Sequence, residues 1–155
     1  MPREYSREEL ALAGIRTDGV YMRDRWHPPE LDEEAREYRK RWGGSLGSGY
    51  YRFWANGRTV VRTANVEPDE FKAEHADSFE RARLGYYQIL PDGAIEAQYY
   101  AYHGGEGRYI YRNARIRIEN GEIWSPCGGD GYRGQPSYLV FRFRPVPGMK
   151  AEPDW

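Results

Sequence analysis

The sequence has a single cysteine, Cys127, and no run of apolar residues long enough to cross a bilayer. One cysteine excludes an intramolecular disulfide bond and a zinc site made of cysteines. A membrane helix needs about 18 consecutive apolar residues, and the first ten residues, MPREYSREEL, also lack the apolar core of a signal peptide. We therefore expect a soluble, cytoplasmic protein.

An excess of charge of either sign is also absent. Lys and Arg number 23 and Asp and Glu number 24, which gives a formal net charge of -1. Without a positive field, we expect the chain to bind neither nucleic acid nor an anionic membrane. Its 155 residues fit one domain. We predict a single domain over residues 1–155, with an N-terminal extension at 1–17 and a Pro-rich tail at 145–155.

Aromatic residues and hairpin turns are abundant instead. The chain has 14 Tyr, 5 Trp and 5 Phe, which favour strands. Three pairs typical of hairpin turns lie between strand-like runs: Asn56-Gly57, Asp92-Gly93 and Asn120-Gly121. Around them the pattern predicts eight strands, at residues 19–23, 49–55, 58–65, 83–90, 94–102, 109–119, 122–125 and 138–144.

Two segments show helical spacing. In the first, which starts at Pro28, apolar residues recur on one helical face: Leu31, Ala35, Tyr38 and Trp42. In the second, at residues 67–85, the side chains of Phe71, His75 and Phe79 lie four residues apart. A short helix before residue 18 is also expected to pack against one end of the sheet.

Eight antiparallel strands joined mostly by hairpins favour a closed barrel, because closure removes both unpaired edges. Large residues occupy both faces of several strands, so both faces are expected to be covered. Residues 114–119, ARIRIE, are the exception, since their alternation predicts one wet face. The predicted fold is mostly β, a lipocalin-like antiparallel up-and-down barrel with two accessory helices.

The first half of the chain resembles a known arrangement. It contains DGVYMR at residues 18–23, YYRFWANGRTVVRT at 50–63, a short acidic helix, and LGYYQI at 84–89. This order resembles the lipocalin-like barrel domain of one class of F-box substrate receptors and of related small bacterial proteins. The resemblance implies an antiparallel barrel. It implies no catalytic residues, and without an F-box it implies no role in ubiquitination.

Candidate chemical groups are few. The three histidines, His27, His75 and His103, form no paired metal-ligand motif, so we expect no metal site. Residues 101–109, AYHGGEGRY, join two strands and are expected to form a hairpin loop, in which His103 and Glu106 are an acid–base candidate. The long loop at residues 125–137 holds Cys127 and is a candidate lid.

The remaining signal is a set of aromatic and arginine residues spread over the strands. An eight-stranded barrel is just wide enough to be filled by side chains or to hold one small ligand. If Tyr51 and Phe53 point inward, Arg52 lies outside, and the opposite register puts Arg52 in the cavity. The predicted ligand-binding residues are Arg52, Trp54, Tyr86, Tyr87, Tyr99, Tyr111, Arg112 and Arg142.

We therefore interpret the chain as a non-catalytic barrel that binds a small apolar or amphipathic ligand, with no cofactor and no catalytic residue assigned. Two alternatives stay open. One is a small enzyme that acts at the barrel mouth, and the other is a protein-interaction module with a filled barrel.

Overall fold

The strands and helices are taken from a computed structural model that describes residues 3–43, 47–103, 108–153 and 155, with the backbone alone at 101–103 and 108–112. The described residues form three α-helices: α1 (Arg7–Leu12), α2 (Pro29–Trp42) and α3 (Ala73–Ala76). A 3-10 turn spans Pro68–Glu70. The nine described strands are β1 (Gly19–His27), β2 (Ser48–Phe53), β3 (Arg58–Ala64), β4 (Arg83–Ile89), β5 (Ile95–His103), β6 (Arg108–Ile116), β7 (Ile118–Glu119), β8 (Glu122–Pro126) and β9 (Tyr138–Pro145).

All strand pairs are antiparallel, and the sheet order is β6-β5-β4-β3-β2-β1-β9-β8-β7. β1 pairs with β9 along most of its length, so the first and the last strand in sequence are neighbours in the sheet. β6 and β7 are one stretch of chain interrupted at Arg117. β6 pairs with β5 and β7 pairs with β8, so the predicted antiparallel barrel is confirmed and is nearly closed.

The three predicted hairpin turns are confirmed, and they are not all of one type. In the β7–β8 turn both Asn120 and Gly121 have positive φ, as a two-residue turn requires. In the β2–β3 turn only Gly57 does, because the loop has three residues and is closed by Trp54 N–H donating to the carbonyl of Arg58 at 3.0 Å. The β4–β5 turn at Gly93 follows the same pattern.

The barrel interior holds one hydrophobic cluster, called the inner cluster. Phe53 contacts both Tyr21 and Tyr87 edge to face, with ring centroids 5.9 Å and 5.4 Å away. This answers the register question, since Tyr51 and Phe53 face inward and Arg52 and Trp54 face outward. The buried members of the inner cluster among the described residues are Tyr5, Leu10, Ala13, Ile15, Tyr21, Phe53, Tyr87, Ile95, Ala97, Tyr99, Ile116, Ile118, Ile123 and Phe141.

A second cluster, called the outer cluster, lies on the outside of β1–β4. It forms where residues 68–82 and the residues after β9 cover the sheet. The Pro-rich residues after β9 therefore leave the sheet, as expected, but pack back against it through Val146, Met149 and Trp155. Two buried faces explain why large residues occupy both sides of β2.

On residues 114–119 the predicted wet face is confirmed, because Arg115, Arg117 and Glu119 are exposed.

The helices differ more from expectation. α2 covers the predicted residues, yet Tyr38 and Trp42 are 66% and 70% exposed, so only the first half of its apolar face rests on the barrel. The helix predicted at residues 67–85 forms only as the 3-10 turn and the four-residue α3. Phe71 between them is extended, because its ring packs against Tyr50 of the outer cluster. None of the described helices has the length and apolar character that crossing a bilayer requires.

Candidate ligand site at the barrel mouth

One end of the barrel is plugged by the residues before β1. The ring of Tyr5 stacks on Tyr87 with centroids 5.3 Å apart, and Tyr5 N–H donates to the carbonyl of Ala55 at 2.7 Å. The hydroxyl of Tyr21 donates to the carbonyl of Gly14 at 2.7 Å and accepts from Arg16 N–H at 3.0 Å. These contacts fix the plug, which consists of residues 5–15, so a ligand has no entrance there.

The opposite end, where β1 ends and β9 begins, is called the mouth. α2 lies beside it, because the carboxylate of Asp32 accepts a hydrogen bond from Trp26 N–H at the end of β1 at 3.0 Å. Residues 127–137 reach the same helix, since Tyr132 and Arg133 both bind the carboxylate of Glu34. The mouth is therefore bordered by a helix and a loop that are joined to each other at Glu34.

Tyr51 lies on the inner wall at the mouth. Its ring contacts Phe141 edge to face, with centroids 4.8 Å apart. Burial raises the pKa of Tyr51, and the hydrogen bond with the Ser125 side chain and the nearby charge of Arg83 oppose that rise. A half-buried phenol ring with a polar tip offers a ligand both apolar contact and a hydrogen bond.

Arg23 lies on the same wall, on β1 beside the start of β2. Gly49 leaves room for it, because a Cβ at that position would lie 3.2 Å from a terminal nitrogen of Arg23. Burial lowers the pKa of the Arg23 guanidinium, and the charge of Arg39 on α2 lowers it further. Two cations are thus held close enough at the mouth to repel each other.

The floor of the mouth is polar at one point. Tyr99 and Thr59 are buried, and their hydroxyl oxygens hydrogen-bond at 3.2 Å. The ring of Tyr99 lies over Gly85 on the paired strand, where a Cβ would come within 2.8 Å of the ring. Burial raises the pKa of Tyr99 far above the usual range, so this phenol is neutral at physiological pH.

A side cleft of about 580 Å³ opens where β3 and β4 part. The two strands pair from Arg58↔Tyr86 to Val61↔Arg83, and β3 continues beyond that point without β4. Inward-facing residues and outward-facing residues therefore both line the cleft, and it is open to solvent. Its lining residues are Val61, Arg62, Thr63, Asn65, Glu80, Arg81 and Arg83.

The eight residues predicted to bind a ligand lie in different places. Tyr87 and Tyr99 point into the barrel and belong to the inner cluster. Tyr86 contacts the ring of Trp155 on the outside, with centroids 6.0 Å apart. The side chains of Tyr111 and Arg112 lie outside the described residues.

Arg52 and Trp54 lie in the outer cluster rather than in the barrel. Arg52 is 1% exposed and donates to the carbonyl of Ala76 at 2.8 Å, the carboxylate of Asp77 at 2.8 Å and the carbonyl of Lys150 at 2.6 Å. Its guanidinium carbon lies 4.4 Å from the centre of the Trp54 ring. Arg52 thus joins both covering segments to β2.

Arg142 is on the outer face of β9. It is 61% exposed and faces the carboxylates of Glu122 at 3.5 Å and Asp24 at 3.9 Å, where Arg25 also binds both acids. Exposed ion pairs of this kind contribute little to stability. Arg142 therefore faces solvent on the outside of the barrel and does not line the interior.

The residues that do meet at the mouth, Arg23, Tyr51, Arg83 and Ser125, were not among those predicted. One usable signal is glycine in a strand, since Gly49 and Gly85 each face a large side chain on the neighbouring strand. Prediction of the inward-facing residues of β1 is hindered by a bulge at Asp24, where the β1–β9 register shifts between Arg23 and Arg25. That shift lets Arg23 face inward and Arg25 outward.

Two of the candidate chemical groups, His75 and Cys127, have described side chains. His75 accepts a hydrogen bond from Lys72 N–H at 2.9 Å, a local contact at the start of α3. Cys127 is a half-buried free thiol in the loop after β8. Glu106 and the side chain of His103 lie outside the described residues. In the described part of the chain, no three His, Cys, Asp or Glu side chains cluster as metal ligands would.

Comparison of the chain with protein-family models, with curated proteins and with solved structures finds no match. The geometry of the mouth is therefore the basis for any functional conclusion.

Proposed function

We propose that this protein binds a small amphipathic molecule at the barrel mouth, with the apolar body of the ligand against the inner wall. The observation that carries the proposal is the position of Arg23, a cation on the inner wall of the barrel beside the ring of Tyr51. A guanidinium group among aromatic residues suits a ligand that combines an apolar body with an anionic end.

The apolar part of the site supports the proposal. Tyr51, Val61 and Leu139 are only half-buried although they pack against the inner cluster. Covering their remaining surface would contribute about 25 cal/mol per Å² of apolar area removed from water. By contrast, Tyr5 and Tyr87 near the plug are buried and stack on each other, so the inner wall near the plug has little apolar surface left for a ligand.

The polar part supplies orientation. Tyr51 hydrogen-bonds with the Ser125 side chain, and the charge of Arg83 acts on the same phenol. Small-molecule sites are mostly apolar with a few convergent polar groups of this kind. The resemblance of the first half of the chain to lipocalin-like barrel domains agrees with a container, and it remains a prediction.

The proposal is tested by titrating the protein with 1-anilinonaphthalene-8-sulfonate, an aromatic body that carries one anionic group, and following its fluorescence. We expect one saturable site, which Arg23→Gln weakens at least fivefold. Arg142→Gln is the matched control, because it removes the same charge from the outer face of the neighbouring strand. We expect it to change the affinity less than twofold.

The absence of saturable fluorescence at millimolar probe would overturn the proposal. Equal weakening by Arg23→Gln and Arg142→Gln would also overturn it, since the probe would then follow surface charge rather than the inner wall. Native mass spectrometry of freshly purified protein complements the titration. A retained mass that Arg23→Gln removes and Arg142→Gln keeps would support the same site.

A further inference from the structure

The side cleft between β3 and β4 is lined by an excess of positively charged side chains. Three arginines and one glutamate are its charged lining residues: Arg62, Arg81, Arg83 and Glu80. A cleft with walls of one sign focuses its field on the space between them. That space adjoins the inner wall, because Val61 and Thr63 line the cleft as well.

Arg62 is held in place by the backbone. Its Nε donates to the carbonyl of Glu80 at 2.9 Å, and its Nη1 donates to the carbonyl of His75 at 3.0 Å. These bonds fix the guanidinium at the rim of the cleft without neutralising its charge. One wall of the cleft is therefore a preorganised cation.

Arg81 and Arg83 are exposed, and neither side chain makes a hydrogen bond or an ion pair with the residues that the structure describes. This sets them apart from Arg16, Arg25, Arg115 and Arg117, which all bind carboxylates. Glu80 also lines the cleft, but it forms no ion pair with either arginine, and guanidinium groups without an ion pair keep their donors available for a bound anion.

The backbone at Arg81 is unusual as well. Its φ is +55°, in the left-handed region that glycine adopts far more readily than an arginine does. Nothing in the local turn requires a long side chain, since Arg81 is exposed. The left-handed conformation of a residue other than glycine lowers the stability of the fold. A contact between the Arg81 side chain and a ligand in the cleft would explain why arginine occupies this position.

We propose that the side cleft binds a phosphate monoester group, which forms the polar end of the ligand whose apolar body lies at the mouth. This inference rests on the function proposed above and specifies its substrate class. A phosphate monoester carries between one and two negative charges and three acceptor oxygens, which matches several guanidinium groups. A carboxylate offers two oxygens and one charge, and guanidinium groups bind it with fewer contacts.

The test compares four probes by isothermal titration calorimetry: octyl phosphate, octanoate, octanol and inorganic phosphate. We expect octyl phosphate to bind at least tenfold more tightly than octanoate or inorganic phosphate. Arg83→Gln and Arg81→Gly are each expected to reduce the preference for octyl phosphate over octanol at least threefold. For Arg81→Gly, the affinity for octanol itself should stay within twofold.

Arg133→Gly is the matched control for Arg81→Gly. Arg133 also has a positive φ, +50°, but lies in the loop after β8 and pairs with Glu34. Both variants relieve the same backbone conformation, so only a loss of phosphate preference confined to Arg81→Gly supports the cleft. An equal loss in the two variants would overturn it.

The outcomes separate the two proposals. If octyl phosphate and octanoate bind equally and both bind more tightly than octanol, the phosphate inference fails and the proposed site for an anionic amphipathic ligand stands. If all three bind equally, the anionic preference that both proposals require fails. If inorganic phosphate binds as tightly as octyl phosphate, the cleft is a phosphate site, and the apolar contact proposed at the mouth fails. If none of the four binds, both proposals fail.

Discussion

Tyrosine and arginine have opposite roles in two parts of this barrel. In the packed part, formed by the plug and the outer cluster, their polar atoms bind the protein itself. Arg52 donates to three acceptors, and the hydroxyls of Tyr21 and Tyr87 donate to carbonyls at 2.7 Å. At the mouth and side cleft, Arg81 and Arg83 face solvent.

The difference shows that residue type alone does not identify a binding site. A buried arginine whose acceptors are all inside the protein stabilises the fold and is out of reach of a ligand. An arginine that faces a cleft contributes little to stability and keeps its donors. Effects on unfolding and effects on binding should therefore appear in different variants.

The largest expected effect is that of Arg52→Ala in the packed part. It leaves the carboxylate of Asp77 and two carbonyls without their shared donor, and we expect the free energy of unfolding to fall by about 3–5 kcal/mol. Urea unfolding followed by circular dichroism measures it. The control Arg142→Ala removes an exposed arginine and should cost less than about 1 kcal/mol. Similar losses for both would remove the distinction between the two parts.

Alkaline pH is expected to have the next largest effect, again through the packed part. Burial raises the pKa of Tyr21 from its usual 10.0 to about 12. The folded state therefore keeps this proton at pH values where the unfolded state has released it. The stability that Tyr21 contributes is complete below pH 10 and is lost as the pH rises from 10 to about 12.

The size of that loss is about 2–3 kcal/mol for a shift of this order. Urea midpoints measured between pH 9 and about 11.5 should fall more steeply for the wild type than for Tyr21→Phe, which keeps the ring and lacks the ionisable group. Absorbance at about 295 nm would report the phenolate in the same samples. Parallel curves for the two proteins would contradict the prediction.

The smallest expected change in stability is that of Arg83→Gln at the cleft. Because the Arg83 side chain is exposed and makes no hydrogen bond or ion pair in the described part of the chain, its loss should alter the free energy of unfolding by less than about 0.5 kcal/mol. The same urea measurement checks it. A loss above about 1.5 kcal/mol would place Arg83 with Arg52 as a structural residue.

The strands and turns were predictable because their signals are local. Asn-Gly and Asp-Gly pairs specify turns by their own φ preferences, and the alternation of residues 114–119 identifies a face directly. Closure into a barrel followed from the need to satisfy the edges. The helix at residues 67–85 was overpredicted because Phe71 and Phe79 are spaced for a helix but pack individually against the outer cluster.

The site was less predictable because its determinants are distant in sequence. Arg52 looked suited to a ligand, and its acceptors Asp77 and Lys150 lie 25 and 98 residues away. Both faces of β2 are buried, so hydrophobic alternation gives no direction for Arg52 or Tyr51. The bulge at Asp24 then reverses the face of β1 on which arginine appears.

The pairing of β1 with β9 also sets the order in which the barrel can assemble. β1 begins at Gly19, and its partner strand ends at Pro145, so most of the chain must be synthesised before that pair forms. Contacts between residues so far apart in sequence slow folding. Until then β1 is an unpaired edge on a growing chain, which makes the interval before β9 emerges the period of greatest aggregation risk.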